Sequence, residues 1–351
     1  MPTVRLSGTI LSENDPGRVS RAKLLHLLFN GGWNIYNSNG DQRITLSNIE
    51  KKIIESDAFV FTPNPSLEDM FKAISIFVGY QTLDHNLAGK PTVILNADGS
   101  WNNFFSVISH LNRMGTIKQD YREFLLSADT PEAVLECLEQ ARSNGLPDAG
   151  REKMEEATMP QVLDVPAPTS NMGNVCVFCS ASLEDPSFVR DGEMLGRLLA
   201  LNHLGCVSGA GKSGIMGAVV RGTVAAGGWA AGSNVPHIIE LEGLPEGLSQ
   251  FWLRPDIYTR MEVMIENSDA FVIFPGGAGT FQELLALMIF KFQKNPLMEG
   301  KPVVIFNRRN PSGVGFWDPL IDLLDGLCPP GYFVVASTLD DVIPYVSKAI
   351  A

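Results

Sequence analysis

Apolar and polar positions along the chain follow two spacings, one typical of strands and one typical of helices. In residues 174–351, short apolar runs rich in β-branched residues alternate with segments whose apolar residues recur every three or four positions. The predicted strands are 175–179, 206–208, 270–274 and 302–306, and the predicted helices are 191–202, 215–226, 281–292, 318–325 and 340–350. Continuous apolar strands separated by helices are typical of a parallel sheet with helices on both faces. We therefore predict a Rossmann-like α/β domain, in which ligands bind at the carboxyl ends of the strands.

The first part of the chain repeats this pattern, in places with the same residues. The matching pairs are Ile54–Val60 with Glu266–Val272, and Gly89–Asn96 with Gly300–Asn307, the second pair being followed by Trp101 and Trp317. The offset between matching positions grows from about 171 to about 211, so the first copy lacks about 40 residues in its middle. The sequence thus predicts a duplicated domain, with a degenerate copy in 1–141, a linker in 142–173 and a complete copy in 174–351. The linker is rich in proline, glycine, serine and charge, and it predicts one short helix around Glu152 to Ala157.

Composition and charge exclude several classes of protein. The 351 residues are 45% hydrophobic and 19% charged, which favours a substantial core over disorder. With 27 basic and 39 acidic residues the net charge is −12, and such a surface repels nucleic acids and acidic membranes. No apolar run reaches the length of about 18 residues that a membrane helix needs, and the amino terminus has no apolar signal segment. We expect a cytoplasmic protein that binds neither nucleic acid nor membranes, although a local site can still bind a phosphorylated small molecule.

The cysteines predict neither a disulfide framework nor a metal site. There are five in the chain, and Cys176 and Cys179 form a lone CxxC with no second pair and no nearby histidine. We interpret them as ordinary strand cysteines and expect the protein to use no metal or other cofactor.

A glycine-rich turn follows the predicted strand 206–208. It contains GxGxxG, which is typical of dinucleotide sites, but the acidic residue expected about 20 residues later is absent. The segment Gly211-Lys-Ser also resembles the end of a P-loop, whose leading glycine would fall at Cys206. We expect a turn whose backbone amides face a ligand, and the alternative is a tight packing turn.

A second glycine-rich turn, Pro275-Gly-Gly-Ala-Gly-Thr280, follows the strand 270–274 and leads into a helix that we expect to begin at Thr280. The amino end of a helix carries partial positive charge and favours an anion. Glu283 has two interpretations here. It is either the acid of a capping box with Thr280, or a carboxylate placed one turn from a bound phosphate.

The first copy helps to separate these interpretations. Where the second copy has the glycine-rich turn, the first has Pro63–Asp69, without the glycines or the threonine, although the surrounding pattern is kept. The loop is therefore not needed for folding, which favours a functional role in the second copy. Glu68 or Asp69 is left as a candidate for the position of the acid.

These residues resemble the LONELY GUY family, often labelled "possible lysine decarboxylase", whose hallmark is PGGxGTxxE. The residues that fit it are Pro275, Gly276, Gly277, Gly279, Thr280 and Glu283. A second hallmark, an arginine on the preceding helix, matches Arg260, and the family's GGGxxGLMG is similar to Gly209–Gly217. The resemblance covers about residues 174–350. It departs from the family at Ala210, at Met261 where a lysine is usual, and at Gln282.

The resemblance implies hydrolysis of the N-glycosidic bond of a nucleoside 5′-monophosphate, with a purine, pyrimidine or cytokinin base, and with Glu283 and Arg260 as catalytic residues. The implied substrate or phosphate contacts are Gly276, Gly277, Ala278, Gly279, Thr280, Gly209, Gly211, Gly214, Met264 and Ser180. The resemblance also implies a homo-oligomer, in particular a dimer, although the two copies could instead form an internal pseudo-dimer. No residue argues for the pyridoxal phosphate lysine that a lysine decarboxylase needs.

Two other functions stand beside this one. The first is a nucleotide-binding regulatory protein without turnover, which the intact Arg260 and Glu283 disfavour because a pure binding protein does not need that acid. The second is a dinucleotide-dependent oxidoreductase, which the absent ribose-binding acid disfavours.

Overall fold

The computed structural model describes residues 1–8, 16–37, 46, 52–87, 89–148, 150 and 164–350. The chain divides into two compact units, Met1–Arg151 and Glu152–Ala351, which we call the first and the second unit. The short helix predicted around Glu152 to Ala157 lies outside the described residues. No helix in these described ranges is long and apolar enough to cross a membrane.

The first unit is built around a five-stranded sheet. Its elements are β1 (Thr3–Ser7), α1 (Pro16–Asn30), β2 (Asn34–Asn37), β3 (Ala58–Phe61), α2 (Leu67–Gln81), β4 (Thr92–Leu95), α3 (Asn102–Arg113), β5 (Leu125–Ala128) and α4 (Pro131–Asn144). The strand order is β2-β1-β3-β4-β5, and every pair is parallel. On one face, Val4 and Leu6 of β1 pack with leucines of α1 and α4 in a buried cluster. Helices therefore cover this face, as expected for a parallel sheet.

The second unit is built around a seven-stranded sheet. Its elements are β6 (Gly173–Phe178), α5 (Pro186–Leu201), β7 (Leu204–Ser208), α6 (Gly214–Ala225), β8 (Ala230–Asn234), α7 (Pro236–Glu242), β9 (Gln250–Leu253), α8 (Ile257–Glu266), β10 (Ala270–Ile273), α9 (Ala278–Phe292), β11 (Val303–Phe306), α10 (Asp318–Asp325), β12 (Val334–Ala336) and α11 (Leu339–Ile350). The strand order is β12-β11-β10-β6-β7-β8-β9, again with all pairs parallel.

Five strands of the second sheet repeat the order of the first. The run β7-β6-β10-β11-β12 corresponds to β2-β1-β3-β4-β5, and β8 and β9 extend the second sheet beyond β7. The prediction of a Rossmann-like parallel sheet in two copies is confirmed. The difference in length lies between β7 and β10, where the second unit has α6, β8, α7, β9 and α8. In the first unit β2 and β3 are connected by residues 38–57, of which 52–54 are helical.

Side-chain hydrogen bonds repeat with the strands. The side chain of Asp57 accepts from the amide of Thr3, and that of Asp269 accepts from the amide of Asn174. The Ser56 hydroxyl donates to the Lys52 carbonyl, and the Ser268 hydroxyl donates to the Met264 carbonyl. Asn96 and Asn307 each accept from the amide of the tryptophan that precedes the next helix. These bonds fix the correspondence between the two units residue by residue.

Candidate active site

The loops that follow β6, β7 and β10 meet at the carboxyl edge of the second sheet. Ser180 joins them, because its amide donates to the Pro275 carbonyl (3.1 Å) and its carbonyl accepts from the Met216 amide (3.0 Å). Its hydroxyl oxygen lies 3.0 Å from the amides of Ser182 and Leu183 and closes the turn after β6. Ser180 is 5% exposed, and it links the loop after β6 to the loop after β10 and to the first turn of α6.

The first glycine-rich loop is folded tightly against its neighbours. A Cβ atom at Gly209 would overlap the guanidinium of Arg260, so only glycine allows this approach. Ala210 has a φ of 55°, in the left-handed region where glycine is favoured. The Gly211 amide donates to the thioether of Met216 at 2.9 Å.

Helix α8 presents Arg260 to this loop. The helix is capped by Asp256, which accepts from the amides of Tyr258 and Thr259. The Arg260 side chain donates from Nε to the Ser233 carbonyl (2.9 Å) and from a terminal nitrogen to the Gly209 carbonyl (3.1 Å). With an exposure of 9%, the guanidinium is held in one position rather than moving in solvent.

The second glycine-rich loop forms the start of α9. The helix begins at Ala278, and its N-cap is Gly277, which offers no side chain to the first amides. A Cβ at Gly276 would overlap the Thr280 hydroxyl, whereas one at Gly279 would meet nothing within 4 Å. The first amides of a helix have no partner within it. This amino end therefore presents backbone donors beside open space.

The helix start excludes one of the two interpretations of Glu283. We predicted a helix beginning at Thr280, but it begins two residues earlier, so Glu283 is the sixth helical residue. A capping-box acid occupies the third position. The capping-box interpretation of Glu283 is therefore wrong. The predicted start was misleading because Gly277 caps the helix through its backbone alone.

Glu283 is a buried carboxyl group with a shifted pKa. It is 5% exposed in a helix that is buried on every side from Thr280 to Phe290. Burial raises its pKa from 4.5 to about 7, while the positive charge of Arg260 opposes the rise and the charge of Glu242 adds to it. At neutral pH both protonation states of Glu283 are accordingly populated.

Glu242 is a site residue that the sequence analysis missed. It ends α7, and a Cβ at Gly211 would lie 3.2 Å from its Oε2. It lies in the segment between β7 and β10 that the first unit lacks, and an acid in that segment was the available signal. Met264, by contrast, is fully buried one turn after Arg260 on α8, and its carbonyl accepts from Ser268.

The cysteines of the second sheet lie close to this site but are not bonded to each other. Cys176, Cys179 and Cys206 are free and buried. Burial, followed by the charge of Glu283, raises the pKa of both Cys176 and Cys179, which keeps the thiols protonated.

Comparison with known proteins identifies the family. The family model described as "Possible lysine decarboxylase" matches residues 216–347, all within the second unit. The probable cytokinin riboside 5′-monophosphate phosphoribohydrolase LOGL1 of Oryza sativa subsp. japonica is 30% identical over 172 residues, which cover 48% of this chain and 72% of the relative. The chain belongs to the LONELY GUY family.

A second curated relative agrees with this assignment. The cytokinin riboside 5′-monophosphate phosphoribohydrolase LOG4 of Arabidopsis thaliana is 29% identical over 164 residues, covering 46% of this chain and 73% of the relative. Among solved structures, a molybdenum cofactor binding protein from Rippkaea orientalis is 19% identical, covers 51% of this chain and 98% of its own, and has a TM-score of 0.40.

The structure brings together most of the residues that the LONELY GUY motifs indicate. Gly209 contacts Arg260, the charge of Arg260 acts on Glu283, and the turn from Gly276 to Thr280 opens beside them. Gly214 begins α6 with a φ of 59°, where a Cβ would crowd the Ala181 carbonyl. The LONELY GUY residue positions thus converge on one edge of the second sheet.

Proposed function

We propose that this protein hydrolyses the N-glycosidic bond of a nucleoside 5′-monophosphate and releases the free base and ribose 5-phosphate. One observation carries the proposal: a buried carboxyl group, Glu283, whose pKa of about 7 suits proton transfer at neutral pH and whose neighbour is the fixed cation Arg260. The names of the relatives, which are phosphoribohydrolases of cytokinin riboside monophosphates, support the same reaction.

The 5′-phosphate is assigned to the amino end of α9. Backbone amides of Ala278, Gly279 and Thr280 point from the first turn, and the side of Gly279 is open. A helix of 15 residues adds the field of its dipole at this end. This placement lets an acidic chain of net charge −12 bind a phosphate without a basic surface.

Glu283 acts on the sugar. As the bond between C1′ and the base nitrogen breaks, its electron pair leaves with the base and the ribose acquires positive charge. The ionised Glu283 stabilises that charge, and it takes a proton from the water that adds at C1′. The departing base takes up a proton from solvent, and Glu283 afterwards releases to solvent the proton that it took from the water. The products are the neutral base and ribose 5-phosphate.

Arg260 positions the reacting groups. Two of its donors are committed to the Ser233 and Gly209 carbonyls, which fix the guanidinium and leave its remaining donors for the substrate. It contacts the nucleotide and keeps part of Glu283 ionised near neutral pH, because its charge opposes the effect of burial.

The test is incubation of the full chain with AMP, GMP, CMP, UMP and a cytokinin riboside monophosphate, with chromatography of the released base. We expect release from at least one of them, and the ranking of the five defines the base preference. Release must require the 5′-phosphate, so the matching nucleosides are the control. Tight binding of a nucleotide without release from any of the five would instead favour a regulatory binding protein.

A further inference from the structure

The first unit has a polar cluster at the place that corresponds to the candidate active site of the second. It lies where β1 and β3 end, as the candidate active site lies where β6 and β10 end. The equivalence rests on matching bonds, since the Thr62 amide donates to the Ser7 carbonyl just as the Phe274 amide donates to the Phe178 carbonyl.

Helix register identifies the residue that replaces Glu283. Helices α2 and α9 both have 15 residues, and residues 82–91 and 293–302 lead from them to the matching strands β4 and β11. Leu67 therefore corresponds to Ala278, and the sixth residue of α2, Lys72, corresponds to Glu283. Asp69, which the sequence left as a candidate for the acid, takes the position of Thr280 instead. It serves as the acid of a capping box with Ser66.

Two further cations stand at positions that are uncharged in the second unit. Lys52 corresponds to Met264, since the carbonyls of both accept from the matching serines. Arg5 corresponds to Cys176, because the two residues have the same register on β1 and β6 against the neighbouring strands. The substitutions place three positive charges where the second unit has a carboxyl, a thioether and a thiol.

Hydrogen bonds link Lys72 and a fourth cation, Arg21, to hydroxyl groups at the ends of β1 and β3. Lys72 Nζ lies 3.3 Å from the Ser7 hydroxyl, and that hydroxyl donates to Asp69 at 2.8 Å. Arg21 of α1 donates to the Thr62 hydroxyl at 3.0 Å. The Asp69 carboxylate also accepts from the amide and the hydroxyl of Ser66, so part of its charge is used in capping α2.

The positive charges of the cluster repel one another. Burial lowers the pKa of Lys72. The charges of Asp69 and Glu68 act against this shift, and the charge of Arg5 adds to it. Burial, and then Arg5 and Lys72, lower the pKa of Lys52 to about 8. Four cations are thus held near three acids, the exposed Glu55 among them, in a chain whose total charge is −12. A bound anion with two charges relieves this repulsion.

We propose that the first unit binds the phosphate group of a small molecule in the cluster formed by Lys72, Lys52, Arg21 and Arg5, with Ser7 and Thr62 as hydroxyl partners. The cluster lies at the position that corresponds to the candidate active site, but a lysine replaces the Glu283 carboxyl group. Without a carboxylate at the sixth position of α2, it binds its ligand and does not cleave it. Inorganic phosphate and a sugar phosphate share the recognised group, and the experiment separates them.

Two matched tryptophans allow each unit to be observed separately. Trp101 donates through its indole nitrogen to the Thr62 carbonyl at 2.9 Å, which places it next to the cluster. Trp317 holds the equivalent position in the second unit. The full chain, which has five tryptophans, is labelled with fluorotryptophan. The resonances of Trp101 and Trp317 are assigned by their loss in Trp101→Phe and Trp317→Phe, and phosphate, ribose 5-phosphate and AMP are titrated in turn.

We expect the Trp101 resonance to shift in a saturable way with at least one of these ligands. Lys72→Gln and Lys52→Gln should each weaken that binding about tenfold or more, since each removes a charged donor, whereas the exposed Lys118→Gln should not. Saturation by phosphate alone defines a phosphate site, and saturation only by ribose 5-phosphate or AMP defines a sugar-phosphate site. If Lys72→Gln fails to fold, the half-buried Lys52→Gln carries the test.

The proposal is overturned if Trp101 does not respond to millimolar concentrations of any of the three ligands. It is also overturned if the midpoint is the same in the folded lysine variants as in the wild type. A response of Trp317 alone overturns it while leaving the hydrolase proposal intact. Conversely, the Trp101 response can depend on the lysines while no nucleotide releases its base. That result contradicts the hydrolase proposal and leaves the phosphate site in place.

Discussion

The two units share a frame, by which we mean their common strand order and the hydrogen bonds found in both. They differ in the side chains at the carboxyl ends of the strands. The order β2-β1-β3-β4-β5 recurs as β7-β6-β10-β11-β12. In each unit an aspartate accepts from an amide of the first strand, and an asparagine accepts from a tryptophan amide. At the carboxyl ends of the central strands, the second unit has Glu283 with Arg260, and the first has Lys72 with Arg21.

This comparison separates the residues that make the fold from those that make the site. A residue repeated in both units has a structural role wherever it bonds to the sheet, as Asn96 and Asn307 do. A residue that changes while the frame stays the same is free to serve a ligand. Glu283 and the turn before α9 belong to this second class.

The largest effect is expected for Glu283→Gln. This change removes the ionisable group but keeps its size, so base release should fall by about 100-fold or more, because a positioned acid or base contributes about 10²–10⁴. Initial rates of base release with the best nucleotide measure it, and Glu299→Gln, at an exposed glutamate, is the matched control. Full activity in Glu283→Gln would place the chemistry elsewhere and remove the main contrast between the units.

The same substitution should stabilise the protein in a way that depends on pH. The Glu283 carboxyl has a pKa of about 7 when folded and 4.5 when unfolded, so it is neutral in both states well below pH 4.5. Between these values only the unfolded state ionises, and stability falls as the pH rises, with the full cost of about 3 kcal/mol present above about pH 7. Melting temperatures should therefore show a gain for Glu283→Gln at about pH 8 that shrinks towards about pH 5. An equal gain at both pH values would contradict the raised pKa.

Gly276→Ala and Gly279→Ala should separate packing from ligand binding in the turn before α9. A Cβ at position 276 overlaps Thr280, so stability should fall by about 1–3 kcal/mol. A Cβ at position 279 meets no protein atom, and the first unit carries Glu68 there, so stability should stay the same or rise by up to about 1 kcal/mol. If phosphate binds at this helix end, Gly279→Ala should nevertheless raise KM about tenfold.

Thermal melting and steady-state kinetics on the two glycine variants give the answer together. An unchanged KM in Gly279→Ala would exclude the space beside that residue as the phosphate site. The substrate would then have to bind Glu283 and Arg260 with its phosphate at another place.

Asn307→Ala and Asn96→Ala should weaken the frame in both units. Asn307 accepts from the Trp317 amide and donates to Asp318, both at 2.8 Å, and Asn96 makes the same pair of bonds with Trp101 and Asn102. Each change should lower the free energy of unfolding by about 1–3 kcal/mol, with the larger loss for the more buried Asn307. Urea unfolding followed by tryptophan fluorescence measures it, with the exposed Asn103→Ala as control. A loss in only one unit would show that the network is not part of the common frame.

The smallest effect is expected at the end of the first helix of each unit. His203 follows α5 with a φ of 56°, and Gly32 holds the matching place after α1 with a φ of 78°. Glycine adopts this conformation without strain, so His203→Gly should raise stability by up to about 1 kcal/mol. Melting curves of the wild type and the variant decide it, and a clear loss would reveal a contact of the imidazole that the first unit does without.

Strands β6, β7, β10 and β11 were predictable from sequence because they are largely apolar and buried. Strand β12, which has three residues and is partly exposed, was missed. The extra strands β8 and β9 were missed for the opposite reason. Ala230–Asn234 consists of small and polar residues, and Gln250–Leu253 is short and partly exposed, so neither has the pattern of a buried strand. Helix α5 begins at Pro186, earlier than predicted, because Asp185 caps it through its side chain.

The site was predictable only in part. The family motif singled out Glu283 and Arg260, and the structure places both at one edge of the sheet. The role of Lys72 was not visible, because the loop before α2 differs in length from its counterpart and a direct reading of Pro63–Asp69 pointed to an acid. Only the helix register, which packing fixes, identifies the lysine as the equivalent residue.

Strands β8 and β9 extend the second sheet beyond the five strands that the two units share. β8 pairs with β7 and β9, and β9 is the outer strand, so the pairings from β7 to β12 do not depend on either of them. The Ser233 carbonyl that accepts from Arg260 belongs to β8, whereas Glu283 lies on α9, which has a counterpart in both units. A chain without this pair of strands would keep the carboxyl group but lose one of the two contacts that hold the guanidinium.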